Sequence, residues 1–178
     1  MKLYVLRHGE TEGNVAGVMS GHQEVFLTEK GKEEARKVRD ILPEKKIDLI
    51  IASPLKRTVQ TAEIVSDGKI PIIYDDRLKS RNHGEFAGMK RTDVNLKEYW
   101  DYNLNKQYKE AESVRDLYNR AREMIYYVKE KYPDKTVLLV THSGVCRAIY
   151  HYFNGIRTDG DMLSDYEAVT GLLEEYDM

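Results

Sequence analysis

Arg7 and His8 stand side by side directly after a short apolar run, in the segment L-R-H-G-E-T. A histidine at the end of a buried strand can act as a nucleophile, and an arginine beside it is a ready binding group for phosphate. Two downstream segments have the same character. In S-P-L-K-R-T-V-Q-T-A, Arg57 follows the apolar run 47–52 and falls in the first turns of a predicted helix. In V-T-H-S-G, His142 ends the run 137–140, and Ser143 and Gly144 open another helix. The carboxyl ends of parallel strands gather on one edge of an open α/β sheet, where helix N-termini offer unpaired N–H groups and a field that favours anions. Two arginines and two histidines would therefore meet around one oxyanion.

Phosphoryl transfer suits such a set. The group in flight spreads negative charge over its non-bridging oxygens, so catalysis is chiefly positioning and electrostatic stabilisation. Guanidinium forks donate paired hydrogen bonds to phosphate and stay charged at any working pH. His8 must be neutral at the attacking nitrogen, with its other ring nitrogen donating to an acceptor that fixes the tautomer. His142, near other cations, would bind oxygen best with an N–H aimed inward.

The elements that must position these groups are legible as apolar runs at 3–6, 47–52, 70–74 and 137–140, short, rich in β-branched residues and continuous. That is the pattern of strands buried on both faces. Helical patterns lie between them. Thr28 can cap a helix that buries Ala35, Val38 and Leu42, and Leu55, Val59, Ala62 and Val65 mark one face of the next. Ser113, with Asp116 three residues on, caps a long helix running to Pro133, and the helix after His142 buries Val145, Ala148, Ile149 and Phe153 and ends at Gly155. Alternating strands and helices predict a three-layer α/β sandwich, with a mainly parallel central sheet and helices on both faces.

With 178 residues, 41% of them hydrophobic, the chain has the size of one domain spanning 1–178. The net charge of -2 argues against nucleic acid or an anionic membrane surface as partner, so any anion site must be local. No apolar stretch approaches the roughly 20 residues that cross a bilayer, and the N-terminus reads as a core strand rather than a leader. A cytoplasmic protein is expected. The single cysteine, Cys146, excludes an internal disulfide. A cysteine phosphatase would need an arginine six residues later, where Tyr152 stands, so Cys146 is read as core. His22, His83 and His151 lack metal-ligand spacing and are read as surface or supporting residues; no metal and no cofactor are implied.

Taken together, L-R-H-G-E-T-E-G-N, L-T-E-K-G, S-P-L-K-R-T-V-Q-T-A and T-H-S-G resemble, in order, the motifs of the histidine phosphatase superfamily, in its phosphoglycerate-mutase-like branch. The resemblance implies that His8 accepts the phosphoryl group and that Arg7, Arg57 and His142 clamp its oxygens. It implies further substrate contacts at Asn14, Ser20 and Gly21, a late edge strand for which 166–170 is the nearest candidate, and a small helical cap near 90–112. In that segment Leu96, Trp100, Leu104 and Tyr108 fall at helical spacing among many charges. These residues either pack a surface helix onto the body or turn one or two aromatics toward the substrate.

One position departs from the family. Its third strand is usually followed by R-L-x-E-x-x-x-G, whose glutamate protonates the leaving group; residues 77–84 here read R-L-K-S-R-N-H-G, so Ser80 stands at the acid's place. A serine hydroxyl is far too weak an acid for that task, and general acid catalysis is typically worth roughly 10²- to 10⁴-fold. Glu85 is a possible substitute donor, and His83, Asp75 and Asp76 are weaker candidates; an acidic group on the substrate would also serve. The expected function is hydrolysis of a small phosphorylated metabolite through a phosphohistidine on His8. The alternatives are a catalytically weak protein that binds a phosphometabolite or an interaction partner, and a phosphotransferase of the phosphoglycerate mutase type. The sequence leaves a homo-oligomer open.

Overall fold

The computed structural model describes residues 1–178. In chain order the elements are β1 (Lys2–Arg7), α1 (Glu12–Ala16), α2 (Glu29–Lys45), β2 (Leu49–Ala52), α3 (Lys56–Ser66), β3 (Ile72–Tyr74), α4 (Leu96–Tyr99), α5 (Val114–Lys131), β4 (Val137–Thr141), α6 (Ser143–Asn154) and β5 (Leu173–Asp177). The strands form one sheet in the order β3-β2-β4-β1-β5. β1 and β2 both pair with β4 in parallel and β3 joins β2 in parallel, while β5 lies antiparallel on β1. The order reverses around β4 and β1, so the loops after these two strands open onto one crevice.

Alternate residues of each central strand face opposite layers. Leu3, Val5, Ile51, Val137 and Leu139 pack against Leu117, Met124 and Ile125 of α5 and Val145 and Ile149 of α6. Tyr4, Leu6, Ile50, Leu138 and Val140 pack against Ala35, Val38 and Leu42 of α2 and Ala62 and Val65 of α3. Burial on both faces is why these strands read as unbroken apolar runs. The predicted caps form. Thr28 accepts from the Gly31 N–H at 3.1 Å, Ser113 accepts from the Asp116 N–H at 3.1 Å, and Gly155 follows α6 with φ of +85°. No helix is long and apolar enough to cross a membrane.

Two expectations change. The late edge strand is Leu173–Asp177 rather than 166–170. Residues 166–168 instead turn carbonyls toward arginines, with Tyr166 accepting from Arg147 at 2.7 Å and Ala168 from Arg7. β5 escapes an apolar search because it is an edge strand carrying Glu174, Glu175 and Asp177, with Lys2 paired to the latter two. The helical spacing in 96–108 also overstates the helix. Only Leu96–Tyr99 is helical, Leu104 is 54% exposed, and the chain beyond Trp100 is held by turns.

Candidate active site

A small, mostly polar cleft opens at the carboxyl edge of the sheet. Arg7, His8, Asn14, Ser20, Gly21, Arg57, Ser80 and His142 all line it. Glu85 stays outside, as do the weaker donor candidates Asp75 and Asp76.

His8 follows β1 and keeps its register, its N–H donating to the Thr141 carbonyl at 3.0 Å. The loop then packs onto the start of α2 so closely that a Cβ on Gly9 would lie 2.2 Å from the Gly31 oxygen, and one on Gly31 would lie 2.1 Å from the Glu10 oxygen. Glycine at both places lets helix and loop meet. The His8 Nδ1 is 2.7 Å from the Gly9 carbonyl, which can only accept, so Nδ1 carries the proton and the lone pair of the neutral ring is on Nε2. Burial, then the charges of Arg7 and Arg57, hold His8 well below the usual histidine range.

Arg57 comes from the first turn of α3 and is nearly buried. Its Nη2 donates to the Gly21 carbonyl at 2.6 Å, its Nη1 to the Gln23 carbonyl at 2.9 Å, and its Nε to His142 Nδ1 at 3.2 Å. Burial pushes its pKa down to about 10, which leaves it charged at neutral pH. Because an arginine Nε only donates, His142 Nδ1 must accept, and the neutral ring carries its proton on Nε2, which donates to Ser53 Oγ at 2.8 Å. The inward N–H expected of His142 is thus directed at Ser53. Burial and then Arg57 keep His142 well below the usual range, and its ring meets that of His8 edge-on at 5.2 Å.

Arg7 donates through Nη1 to the Ala168 carbonyl, and its Nε is buried without an acceptor. Asn14 serves the scaffold with one end of its amide, Oδ1 accepting from the Thr11 N–H at 3.0 Å in the capping box of α1. Gly21 takes φ of +53° and offers its carbonyl to Arg57.

The wall is built by the chain after β3. Arg120 of α5 donates to the carbonyls of Arg77 at 2.6 Å and Lys79 at 2.8 Å, and His22 Nε2 lies 2.8 Å from the Ser80 carbonyl. Ser80 is held at the cavity, 8% exposed. Glu85 is carried outward because Gly84, at φ of +51°, packs on the backbone of 109–111, and its exposed carboxylate accepts from the Lys109 N–H at 3.0 Å. Asp75 and Asp76 are engaged by Arg77 at 2.6 Å and Lys79 at 3.0 Å, outside the cleft. His83 does line it, but burial and then Arg81 push its pKa down to about 3, which makes it a poor proton carrier near neutrality. Cys146 is fully buried, its thiol pushed up by that burial.

Sequence reasoning missed Ser53, Arg91, Trp100's place in the wall and Arg147. Ser53 stands inside a recognised motif, directly after β2, and its task emerges only when His142 arrives from β4. Arg147 had a signal, a cation on the otherwise apolar face of α6. Arg91 had none. His151, buried at 1%, supports the fold by contacts with the Gly155 and Met162 carbonyls, each at 3.0 Å.

Known proteins resemble this chain over most of their length. The family model of the histidine phosphatase superfamily (branch 1) matches residues 3–166. Phosphoserine phosphatase 1 of Hydrogenobacter thermophilus is 31% identical over 164 residues, 88% of this chain and 77% of that protein. A 2,3-bisphosphoglycerate-dependent phosphoglycerate mutase of Cytophaga hutchinsonii is 30% identical over 166 residues, 86% of this chain and 78% of the relative. The solved structure of Bacillus stearothermophilus YhfR superimposes with a TM-score of 0.89 at 29% identity, covering 98% of this chain and 89% of that one. Motifs, sheet order and relatives agree, and the chain belongs to the histidine phosphatase superfamily, in its branch 1.

Proposed function

We propose that the protein is a phosphomonoester hydrolase that works through a phosphohistidine on His8, with a small phosphorylated metabolite as substrate. The observation that carries this reading is the His8 ring, held neutral by burial, with Nδ1 tied to the Gly9 carbonyl at 2.7 Å and its Nε2 lone pair left to attack. In the first step Nε2 bonds to phosphorus, the bond from phosphorus to the ester oxygen breaks, and that oxygen leaves with the bonding electron pair and takes its proton from water. In the second, water attacks phosphorus, the P–N bond breaks, and inorganic phosphate departs. Arg7 and Arg57 would stabilise the non-bridging oxygens in both steps, joined by His142 when its Nε2–H exchanges Ser53 for a phosphoryl oxygen. Asn14 would add a contact through its amide.

A carboxylic acid at the place of Ser80 would protonate the leaving group and then deprotonate the water, so its replacement weakens both halves. The cavity lining contains no Asp or Glu. Turnover of alkyl esters is therefore expected to be slow, and a good leaving group relieves only the first step. The same lining favours a second reading, a protein that binds a phosphometabolite with little turnover. A phosphotransferase of the mutase type is the third, supported by the mutase relatives. The lone cysteine favours the cytoplasm as compartment.

Phosphate release from an aryl phosphate and a panel of alkyl phosphomonoesters tests the reading. Release that falls by about 10⁴-fold or more in His8→Ala, together with loss of acid-labile labelling of the protein, is the expected outcome. Retained phosphate binding with no release by the native protein would move the assignment to the binding protein.

A further inference from the structure

Residues 155–172, between α6 and β5, form no helix or strand, yet they carry the acceptors for two cleft arginines. Nη1 of Arg147 donates to the carbonyls of Met162 at 2.9 Å, Leu163 at 3.1 Å and Tyr166 at 2.7 Å, and Nη1 of Arg7 donates to the Ala168 carbonyl. The bond to Ala168 is the one hydrogen bond the protein makes to the Arg7 side chain, whose Nε is buried without an acceptor. Where the Ala168 carbonyl points therefore decides where the Arg7 guanidinium points.

Two ties fix the stretch that carries this carbonyl. At its far end Thr170 Oγ1 donates to Glu34 of α2 at 3.2 Å, and the Gly171 N–H donates to the Arg7 carbonyl at 3.2 Å. At its near end Tyr166 is buried, its ring stacked on Tyr150 of α6 with centroids 4.8 Å apart, and its hydroxyl donates to Glu174 Oε2 at 2.6 Å. Glu174 is set apart from the other acids of β5. Glu175 and Asp177 pair with Lys2 at the surface, whereas Glu174 stands opposite Val5 and so faces the α6 layer, where burial raises its pKa. It forms no ion pair, and its other oxygen accepts from the Tyr176 hydroxyl at 3.1 Å. A carboxylate turned into a packed layer without a cation costs stability, and an apolar side chain would fill the same place. What the carboxylate adds is a charge-assisted hydrogen bond that holds Tyr166.

Resting on the phosphatase reading, we infer that Tyr166 and Glu174 are positioning residues for the phosphate site. Glu174 fixes the Tyr166 hydroxyl, Tyr166 and Thr170 fix the stretch between them, and the Ala168 carbonyl within it aims the Arg7 guanidinium at the phosphoryl oxygens. Neither Tyr166 nor Glu174 lines the cleft, so their effect reaches the substrate through Arg7.

The test is a double-mutant cycle read in two ways, by kcat/KM on an aryl phosphate and by calorimetric affinity for inorganic phosphate. Tyr166→Phe keeps the ring stack and deletes only the hydroxyl. It is expected to lower both quantities by about five- to ten-fold in the native background and by less than about two-fold in the Arg7→Ala background. Glu174→Leu gives the same loss and adds little to Tyr166→Phe, while Glu174→Gln, which keeps an acceptor for the hydroxyl, recovers most of it. A loss of equal size with and without Arg7 would mean that Tyr166 only supports the fold, and an unchanged Tyr166→Phe would mean that the stretch is held without it; either result overturns the inference. Absence of phosphate release by the native protein, with the cycle intact in phosphate binding, would sink the hydrolase and keep the positioning role.

Discussion

The floor of the cleft hangs on the sheet, with Arg7 and His8 at the end of β1, His142 at the end of β4 and Arg57 in the first turn of α3, whereas the wall hangs on side chains. Ser80, His83, Arg91 and Trp100 sit in the long connection between β3 and α5, which contributes no strand, three single-turn 3-10 helices and one four-residue α-helix. Arg120 pins its first turn, and the buried Arg81, 3.6 Å from the Tyr99 ring and bonded to the Tyr99 carbonyl at 2.8 Å, pins its middle. Groups set by ladder hydrogen bonds cannot be moved without moving the core. Groups set by a few clamps can be exchanged one at a time, and the departure from the family pattern, Ser80, lies in the wall.

The sharpest break of this contrast is to restore the wall's acid. Ser80→Glu is expected to raise turnover of alkyl phosphates by about 10²-fold while changing aryl phosphates little in the first step. Stopped-flow release of the aryl alcohol should show a burst in the native protein, because water attack is slow, and a smaller one in Ser80→Glu. A burst rate in the native protein that is independent of leaving-group pKa would mean that another donor acts in the first step.

The floor is tested through Ser53, which touches no reacting atom and acts by holding His142. Ser53→Ala should lower kcat by about five- to ten-fold, the worth of one buried hydrogen bond, with KM changed less. The ¹⁵N shifts of His142 should report loss of the bond at Nε2, and rescue by Ser53→Thr separates positioning from simple destabilisation.

Acid tests floor and wall together. His83 is held at about 3, and His8 and His142 lie well below their ordinary 6.5, so unfolding lets each take up a proton below that pH. The unfolded state then binds more protons, and the stability contributed by the neutral rings is full above about pH 6.5 and is lost as pH falls toward the folded values. The drop in urea midpoint between about pH 6.5 and 4 should be shallower by about a third in His83→Gln than in the native protein. Equal slopes would place His83 in contact with solvent. The smallest effect is expected at Glu85, whose carboxylate is exposed and bonded to Lys109, with Glu85→Gln changing turnover by less than about two-fold.

Much of the fold was legible because β1, β2 and β4 are buried on both faces and must be apolar throughout, and because Thr28 and Ser113 cap their helices locally. β5 was not, since an edge strand meets water and carries charge. The regular spacing of Leu96, Trp100, Leu104 and Tyr108 misled because turns can bury Trp100 and leave Leu104 outside. At the site, Arg7, His8, Arg57 and His142 could be named from motifs because each follows an apolar run, and a strand end is a local property.

What the sequence determined by itself is therefore the set of strand-end residues and the substitution at position 80. Which nitrogen of His142 carries the proton, that Glu85 points away, and that Arg91 and Arg147 join Arg7 and Arg57 were decided only by tertiary structure. Each depends on groups far apart in the chain coming within hydrogen-bonding or Coulomb distance, and local sequence patterns carry no record of such encounters.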